Sequence, residues 1–299
     1  MKLRACFDAL EKQNEEYMHI QNSSEMKIGK TIKVLLSLNF KHIYECIISV
    51  IRAKKVKNKR NKKIKFFYAK GEPLDGKKKV AVYSCITGGY DRINNPILID
   101  DNLDYFCVSD SSKSMDSIWK FIEIPESTKK YKGGMINRYC KLNPWSLFYD
   151  YDFSIYIDGN IDIVSDIRNL CTIAETSKIG IAMHLHSSRD CIYNESLICK
   201  LYKRGNTSAI ENQMVAYRNA DFPEHFGMVE ATIIIVDLKN PIAKKIMGDW
   251  WNELLRSGSG RDQLSFPYVL WKNGFKIDDV GCLGTSRTRN PKFRTRLHG

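Results

Sequence analysis

The stretch Phe153-Ser-Ile-Tyr-Ile-Asp-Gly-Asn-Ile-Asp162 decides how this chain is read. Phe153–Ile157 is aromatic and β-branched, the composition of a buried strand. It delivers the Asp158 carboxylate at its end. Gly159 permits a tight turn, and Asn160 and Asp162 add two further oxygen donors. Oxygen donors so spaced suit Mg²⁺ or Mn²⁺ bridged to a diphosphate. There a cation stabilises negative charge growing on a departing group. The same residues also satisfy an Asx turn that holds no ligand.

Working outward, apolar runs alternate with helical periodicity. Val80–Ile86 reads as a buried strand broken by Thr87-Gly-Gly-Tyr-Asp91, and Tyr105–Val108 as a strand ending at Ser109-Asp110. Trp119–Ile124, Ile179–Met183 and Ala231–Val236 complete the expected strands. Helices are expected at Asn137–Phe148, with Pro144 in a first turn or at a break, and at Asp166–Glu175 with Ser165 as its cap. More follow at Asp190–Lys203, Ala209–Ala220, Ile242–Leu255 and Arg261–Lys272. This alternation predicts an α/β fold with a mainly parallel sheet flanked by helices.

In such sheets ligands bind beyond the carboxyl ends of the strands. Acidic or polar residues recur at those ends: Asp91, Asp110, Asp158, then His184 and His186. Two residues apart on an extended segment, the two histidines face one side; entry into a pocket and simple solvation both fit. Glu230 precedes a strand and is a candidate for orienting an acceptor. Lys132, Arg138 and Lys141 are candidates for neutralising a diphosphate, or form a solvated face. Arg261-Asp-Gln opens a helix, where a carboxylate is favoured; Asp262 is either a cap or a catalytic group.

Four pieces resemble the D-x-D-bearing GT-A glycosyltransferases, and more closely the glycosyltransferase-like domain family of plant turgor-regulation and mucilage-related proteins and bacterial surface-polysaccharide loci. They are Tyr83–Asp91 (YSCITGGYD), Tyr131–Leu142, Phe153–Ile163 (FSIYIDGNIDI) and Gly260–Phe266 (GRDQLSF). The resemblance implies a GT-A-like (Rossmann-related) fold, a nucleotide-sugar donor, a glycan or lipid-linked acceptor, and Mn²⁺ or Mg²⁺. It places Thr87, Gly88, Gly89, Tyr90 and Asp91 by the nucleotide, with Asp110, Arg138 and Lys141. Asp158 holds metal or ribose, and Asn160 takes the second D-x-D position, where an amide oxygen binds a cation more weakly than a carboxylate. A late histidine, His298, is the candidate for completing the metal shell. Asp262 becomes the expected catalytic carboxylate, as base or as stabiliser of an oxocarbenium-like transition state, with Gln263 beside it. His184 and Glu230 remain the acceptor-side candidates.

The net charge of +13 is concentrated. Arg52–Lys79 holds 13 basic residues against Glu72 and Asp75. It follows an amphipathic segment, Ile32–Ile51, so residues 1–70 read as a helical, basic appendage before a domain at 79–299. Either the appendage packs on the domain with a solvated linker, or residues 32–79 lie on an anionic membrane surface. A run with aromatics only at Phe66, Phe67 and Tyr68 argues against nucleic acid recognition. The rival functional readings are a basic lipid- or nucleic-acid-binding protein with an inactive domain, and a lipid or glycan hydrolase; against the latter, no G-x-S-x-G elbow is present. Nine cysteines without a C-x-x-C pair fit a reducing compartment. The amino terminus lacks an apolar signal core, so a cytoplasmic protein, peripheral at the inner membrane face, is expected.

Overall fold

A computed structural model describes residues 2–21, 66–110 and 118–296. The amphipathic segment at 32–51, the first part of the basic run and His298 lie outside the described residues.

The centre of the fold is a seven-stranded sheet. Strands β1 (Val80–Ile86), β2 (Asp104–Ser109), β3 (Lys120–Glu123) and β4 (Phe153–Ile157) are mutually parallel and occupy the order β3-β2-β1-β4. Every residue of β1 and β4 is buried, which is why both read as continuous apolar runs rather than alternating ones. Beyond β4 lies β7 (Val229–Asp237), antiparallel to it, then β6 (Ile181–Leu185) and the short β8 (Gly281–Cys282). The sheet is thus mainly parallel, with β7 running against both neighbours. A two-stranded ribbon, β5 (Ile161–Ile163) with β9 (Phe293–Thr295), sits just past the end of β4.

Helices cover both faces: α2 (Gly134–Leu142), α3 (Cys171–Glu175), α4 (Ile192–Leu201), α5 (Thr207–Asn219), α6 (Pro241–Ser257) and α7 (Asp262–Lys272). One core layer packs Tyr83, Phe148 and Tyr156 against Met247, Trp250 and Phe266. The opposite layer packs Val82, Ile155 and Ile157 with Ile163, Leu170 and Phe293. Each such side chain contributes about 1.5–3 kcal/mol by leaving water. Local signals set the ends of α6. Asn240 caps it by accepting from Ile242 N and Ala243 N at 2.9 and 3.2 Å, Pro241 follows, and Gly258 closes it at φ 60°.

Three expectations need correction. Ser165 does not cap a helix: Asp166–Glu175 divides into a 3₁₀ turn at Arg168–Leu170 and α3, and the Ser165 hydroxyl donates to Glu11 at 2.7 Å. The helix expected over Asn137–Phe148 stops at Leu142, and Pro144 opens a separate 3₁₀ turn. Residues 66–79 are not a solvated linker. The Arg168 guanidinium donates to the carbonyls of Leu74, Asp75 and Lys78 at 2.8, 2.7 and 3.1 Å, and only glycine fits at position 71, where a Cβ would run into the Asn169 carbonyl oxygen.

Helix α1 (Lys2–Gln21) docks beside β9. Its Glu11 takes the buried Lys292 ammonium at 2.7 Å, and its Asn14 amide donates to the carbonyls of Pro291 and Phe293 at 2.8 and 3.0 Å. No helix among the described residues is long and apolar enough to cross a membrane.

Candidate active site

The carboxyl ends of β1, β2 and β4 lie side by side, where an α/β sheet places its ligand cleft. After β1, Gly88 and Gly89 adopt φ of 64° and 65°, a region that favours glycine. Gly88 N donates to Asp110 Oδ2 at 2.8 Å, tying the β1 loop to the end of β2. Thr87 reaches Gly133 O at 3.4 Å, and Tyr90 is exposed. Asp91 lies against the β4 turn, since a Cβ on Gly159 would stand 3.0 Å from Asp91 Cβ. Thr87, Gly88, Gly89, Tyr90, Asp91 and Asp110 therefore cluster with Asp158–Asn160 at the mouth of the sheet.

Helix α2 supplies the polar wall. Positions 137, 138 and 141 share a face, because residues one turn apart point the same way. Lys141 is almost fully buried, with its ammonium 2.8 Å from Asp262 Oδ2 and 4.0 Å from Asp158 Oδ1. It also stands 5.1 Å from the centre of the Tyr156 ring. Tyr156 donates its hydroxyl to Asp158 Oδ1 at 2.8 Å. Asn137 orients that hydroxyl, donating to it at 3.0 Å and to Cys85 O. One ammonium thus bridges two carboxylates from distant parts of the chain.

The two acids differ electrostatically. Burial pushes the Asp158 carboxyl above the ordinary range, against the opposing pull of the Lys141 ammonium and the Tyr156 hydroxyl. Burial acts on Asp262 in the same direction, but Lys141, Arg138 and Arg261 overcome it and hold that carboxyl well below the usual range. Asp262 is no helix cap: it is the first residue of α7, and its Oδ1 accepts from Gln263 N at 2.9 Å. Gln263 donates its side-chain amide to Val229 O at 2.8 Å, which fixes the start of α7 to β7. Arg138 donates to Gly134 O at 2.8 Å, and its charge acts on Asp262. Lys132 is exposed.

Other expected site residues stand elsewhere. Asn160 is tied to the end of β9: its side-chain amide nitrogen donates to Arg296 O at 3.2 Å, and its backbone carbonyl accepts from Arg296 N at 2.8 Å. Asp162, in the β5–β9 ribbon, accepts from Arg296 Nε at 2.8 Å and from Asn94 at 3.0 Å. Both are thus held to β9 and its end. Among the described residues no three His, Cys, Asp or Glu side chains are grouped to hold a metal ion. Of the expected ligands Asp158, Asn160 and His298, the last lies outside the described residues.

His184 is fully buried rather than in the cleft. Its Nε2 meets Asn290 Nδ2 at 2.8 Å, and burial, reinforced by Arg287, lowers its pKa to about 3. His186 instead accepts from the backbone of Ser188 and Arg189 at 3.2 and 3.0 Å. Strand β6 ends at Leu185, so His186 lies beyond it and strand alternation does not relate the two histidines. Glu230 accepts from Ser187 N and Arg287 Nε, both at 3.2 Å, and so orients the Arg287 guanidinium.

Sequence reasoning missed Arg287, whose charge acts on Asp158 and which sits in the connection between β8 and β9. It was hidden in a basic tail with no strand-end signal. Asn137 was missed as well, although it lies inside the conspicuous Tyr131–Leu142 segment.

No curated protein gives a significant match. Among solved structures, WbbM, a bifunctional glycosyltransferase, superposes with TM-score 0.41 at 14% identity, over 67% of this chain and 38% of WbbM. Mouse xyloside xylosyltransferase 1 gives 0.38 at 9% identity, over 66% of this chain and 82% of that one. The mannosyltransferase Ktr4p from S. cerevisiae gives 0.37 at 13%, over 74% of this chain and 75% of that one. The family profile described as the TOD1/MUCI70 glycosyltransferase-like domain matches residues 69–279. The span includes the β1 loop, Lys141, the Asp158 turn and Asp262, and the chain, a mainly parallel α/β fold, belongs to the TOD1/MUCI70 glycosyltransferase-like domain family.

Proposed function

We propose that this protein transfers a sugar from a nucleotide-diphosphate donor to a hydroxyl of a glycan or lipid-linked acceptor during surface polysaccharide synthesis. The observation that carries this reading is the Asp158–Lys141–Asp262 bridge at the carboxyl ends of the strands, beside a glycine loop open to solvent. The glycine pair of the β1 loop suits close backbone approach to a nucleotide. The C–O bond between the anomeric carbon and the β-phosphate breaks, and its electron pair leaves on the diphosphate. The acceptor oxygen forms the new bond to that carbon and releases its proton.

Asp262 suits one of its two expected roles better. A carboxylate held ionised by three cations is a weak base. It is well placed instead to face positive charge developing on the sugar ring, an electrostatic contribution in a site shielded from water. Residues 1–70 serve as an appendage to a catalytic domain at 79–299, and the basic segment at 32–79 carries the enzyme to the anionic inner face of a membrane in the cytoplasm. Calorimetry with UDP-, GDP- and CMP-sugars tests the assignment. One donor is expected to bind, and binding should weaken in Asp158→Ala; no binding to any of the three, or binding indifferent to that substitution, refutes it.

A further inference from the structure

The cation requirement implied by the resemblance and the groups present around Asp158 disagree. A divalent ion on this carboxylate needs further oxygen ligands and tolerates fixed positive charge poorly. The residues after the turn are engaged with Arg296: Asn160 donates its side-chain amide nitrogen to Arg296 O, and Asp162 Oδ1 accepts from Arg296 Nε and from Asn94. Fixed cations are in place, with the buried Lys141 ammonium 4.0 Å from Asp158. Arg287 is a second. It is largely buried, at 18% side-chain exposure, and held by Glu230 at 3.2 Å through Nε and by Thr295 through Nη1. Its Nη2 has no protein partner among the described residues. Thr295 pairs with Ile161 in the ribbon, so this guanidinium is anchored to the strand that follows the Asp158 turn.

We propose that Arg287, with Lys141 behind it, binds the donor's diphosphate in place of a divalent metal, so that donor binding is metal-independent. This rests on the nucleotide-sugar reading above. A guanidinium presents planar donors that match phosphate oxygens and keeps its charge at every working pH. Glu230 acts through Arg287: by taking Nε it fixes the plane of the fork and leaves an Nη donor for the ligand. Lys141 stays paired with Asp262 and adds charge from beneath. When the sugar leaves, the electron pair of the broken C–O bond settles on a phosphate oxygen, and these side chains meet that charge.

The test is calorimetric titration of the full chain, stripped with EDTA, using UDP and GDP as probes. On this inference one diphosphate binds after EDTA, and Mn²⁺ or Mg²⁺ changes its Kd by no more than about twofold. Arg287→Ala weakens it by about 10-fold to 100-fold, the range for a lost charge-assisted hydrogen bond. Arg287→Lys restores part of the loss, and Glu230→Gln gives an intermediate Kd with more salt sensitivity. Thermal melting of each variant separates lost binding from lost folding, and Arg287→Lys carries the comparison if the alanine variant does not fold. Binding that appears only on adding Mn²⁺ overturns the inference while leaving the nucleotide-sugar reading intact. Wild-type affinity in Arg287→Ala overturns it as well. Absence of binding with or without metal removes the nucleotide-sugar reading, and this inference with it.

Discussion

Replacing Lys141 with methionine keeps most of the side-chain volume and deletes the charge between two acids. With an effective dielectric of about 20, the ammonium attracts Asp262 at 2.8 Å by about 6 kcal/mol and Asp158 at 4.0 Å by about 4 kcal/mol. Desolvation of the buried ammonium offsets several kcal/mol of this, so the net cost of breaking the cluster is about 3–5 kcal/mol. For a domain of this size that lowers Tm by about 6–20 °C. Urea denaturation of Lys141→Met, Asp262→Asn and the double variant measures it. The cycle should show a coupling of about 2–3 kcal/mol. The acid limb should change too. Asp262 has a folded pKa below its ordinary 3.8, so its stabilisation is complete above that value and is lost as pH falls through the lower folded value. In Lys141→Met this contribution shrinks and the decline below pH ~4 flattens. A single-variant cost under about 1 kcal/mol, or additive behaviour in the cycle, refutes the bridge as a stabilising unit.

Asp158 carries the opposite sign. Because burial raises its folded pKa, its ionised form burdens the fold at neutral pH, so Asp158→Asn should raise Tm by about 1–5 °C while abolishing transfer; a lower Tm contradicts this. His184 is kept neutral with a pKa near 3. As pH falls from 6.5 toward 3 the unfolded chain takes up a proton that the fold refuses, at a cost of up to about 1.4 kcal/mol per pH unit. His184→Gln should flatten that slope in urea titrations between those values, and an unchanged slope argues against it. Glu11→Ala strands the buried Lys292 ammonium, and release of α1 is the cheapest relief. Hydrogen exchange should therefore speed up in α1 while β1 and β4 stay protected.

The sheet was readable because its signals are local. Val80–Ile86, Phe153–Ile157 and Ala231–Val236 are buried runs whose composition already excludes exposed helix, and Asp158 at the end of Phe153–Ile157 marks the site. Asp158 and Asp262 could be singled out one at a time. That Lys141 joins them could not, since the three residues are brought together by the packing of α2 and α7. The reversed direction of β7 was hidden for a similar reason: composition is blind to strand polarity. That Asn160 and Asp162 are tied to Arg296 was not legible either, because the β5–β9 ribbon joins segments far apart in the chain. His184 looked like a strand-end ligand, yet a register shift and a contact with Asn290 place it in the core.

The ribbon also orders events during synthesis. Asn160 meets its partner Arg296 across 136 residues of chain. At roughly 5–20 residues per second, a ribosome takes about 7–27 s to make that length. Throughout that interval β5 is a bare strand edge, and the turn bearing Asp158 has no cover from β9 or Arg287. Exposed edges invite pairing with other chains. The nascent chain is therefore open to such pairing at the Asp158 turn until its last residues are made.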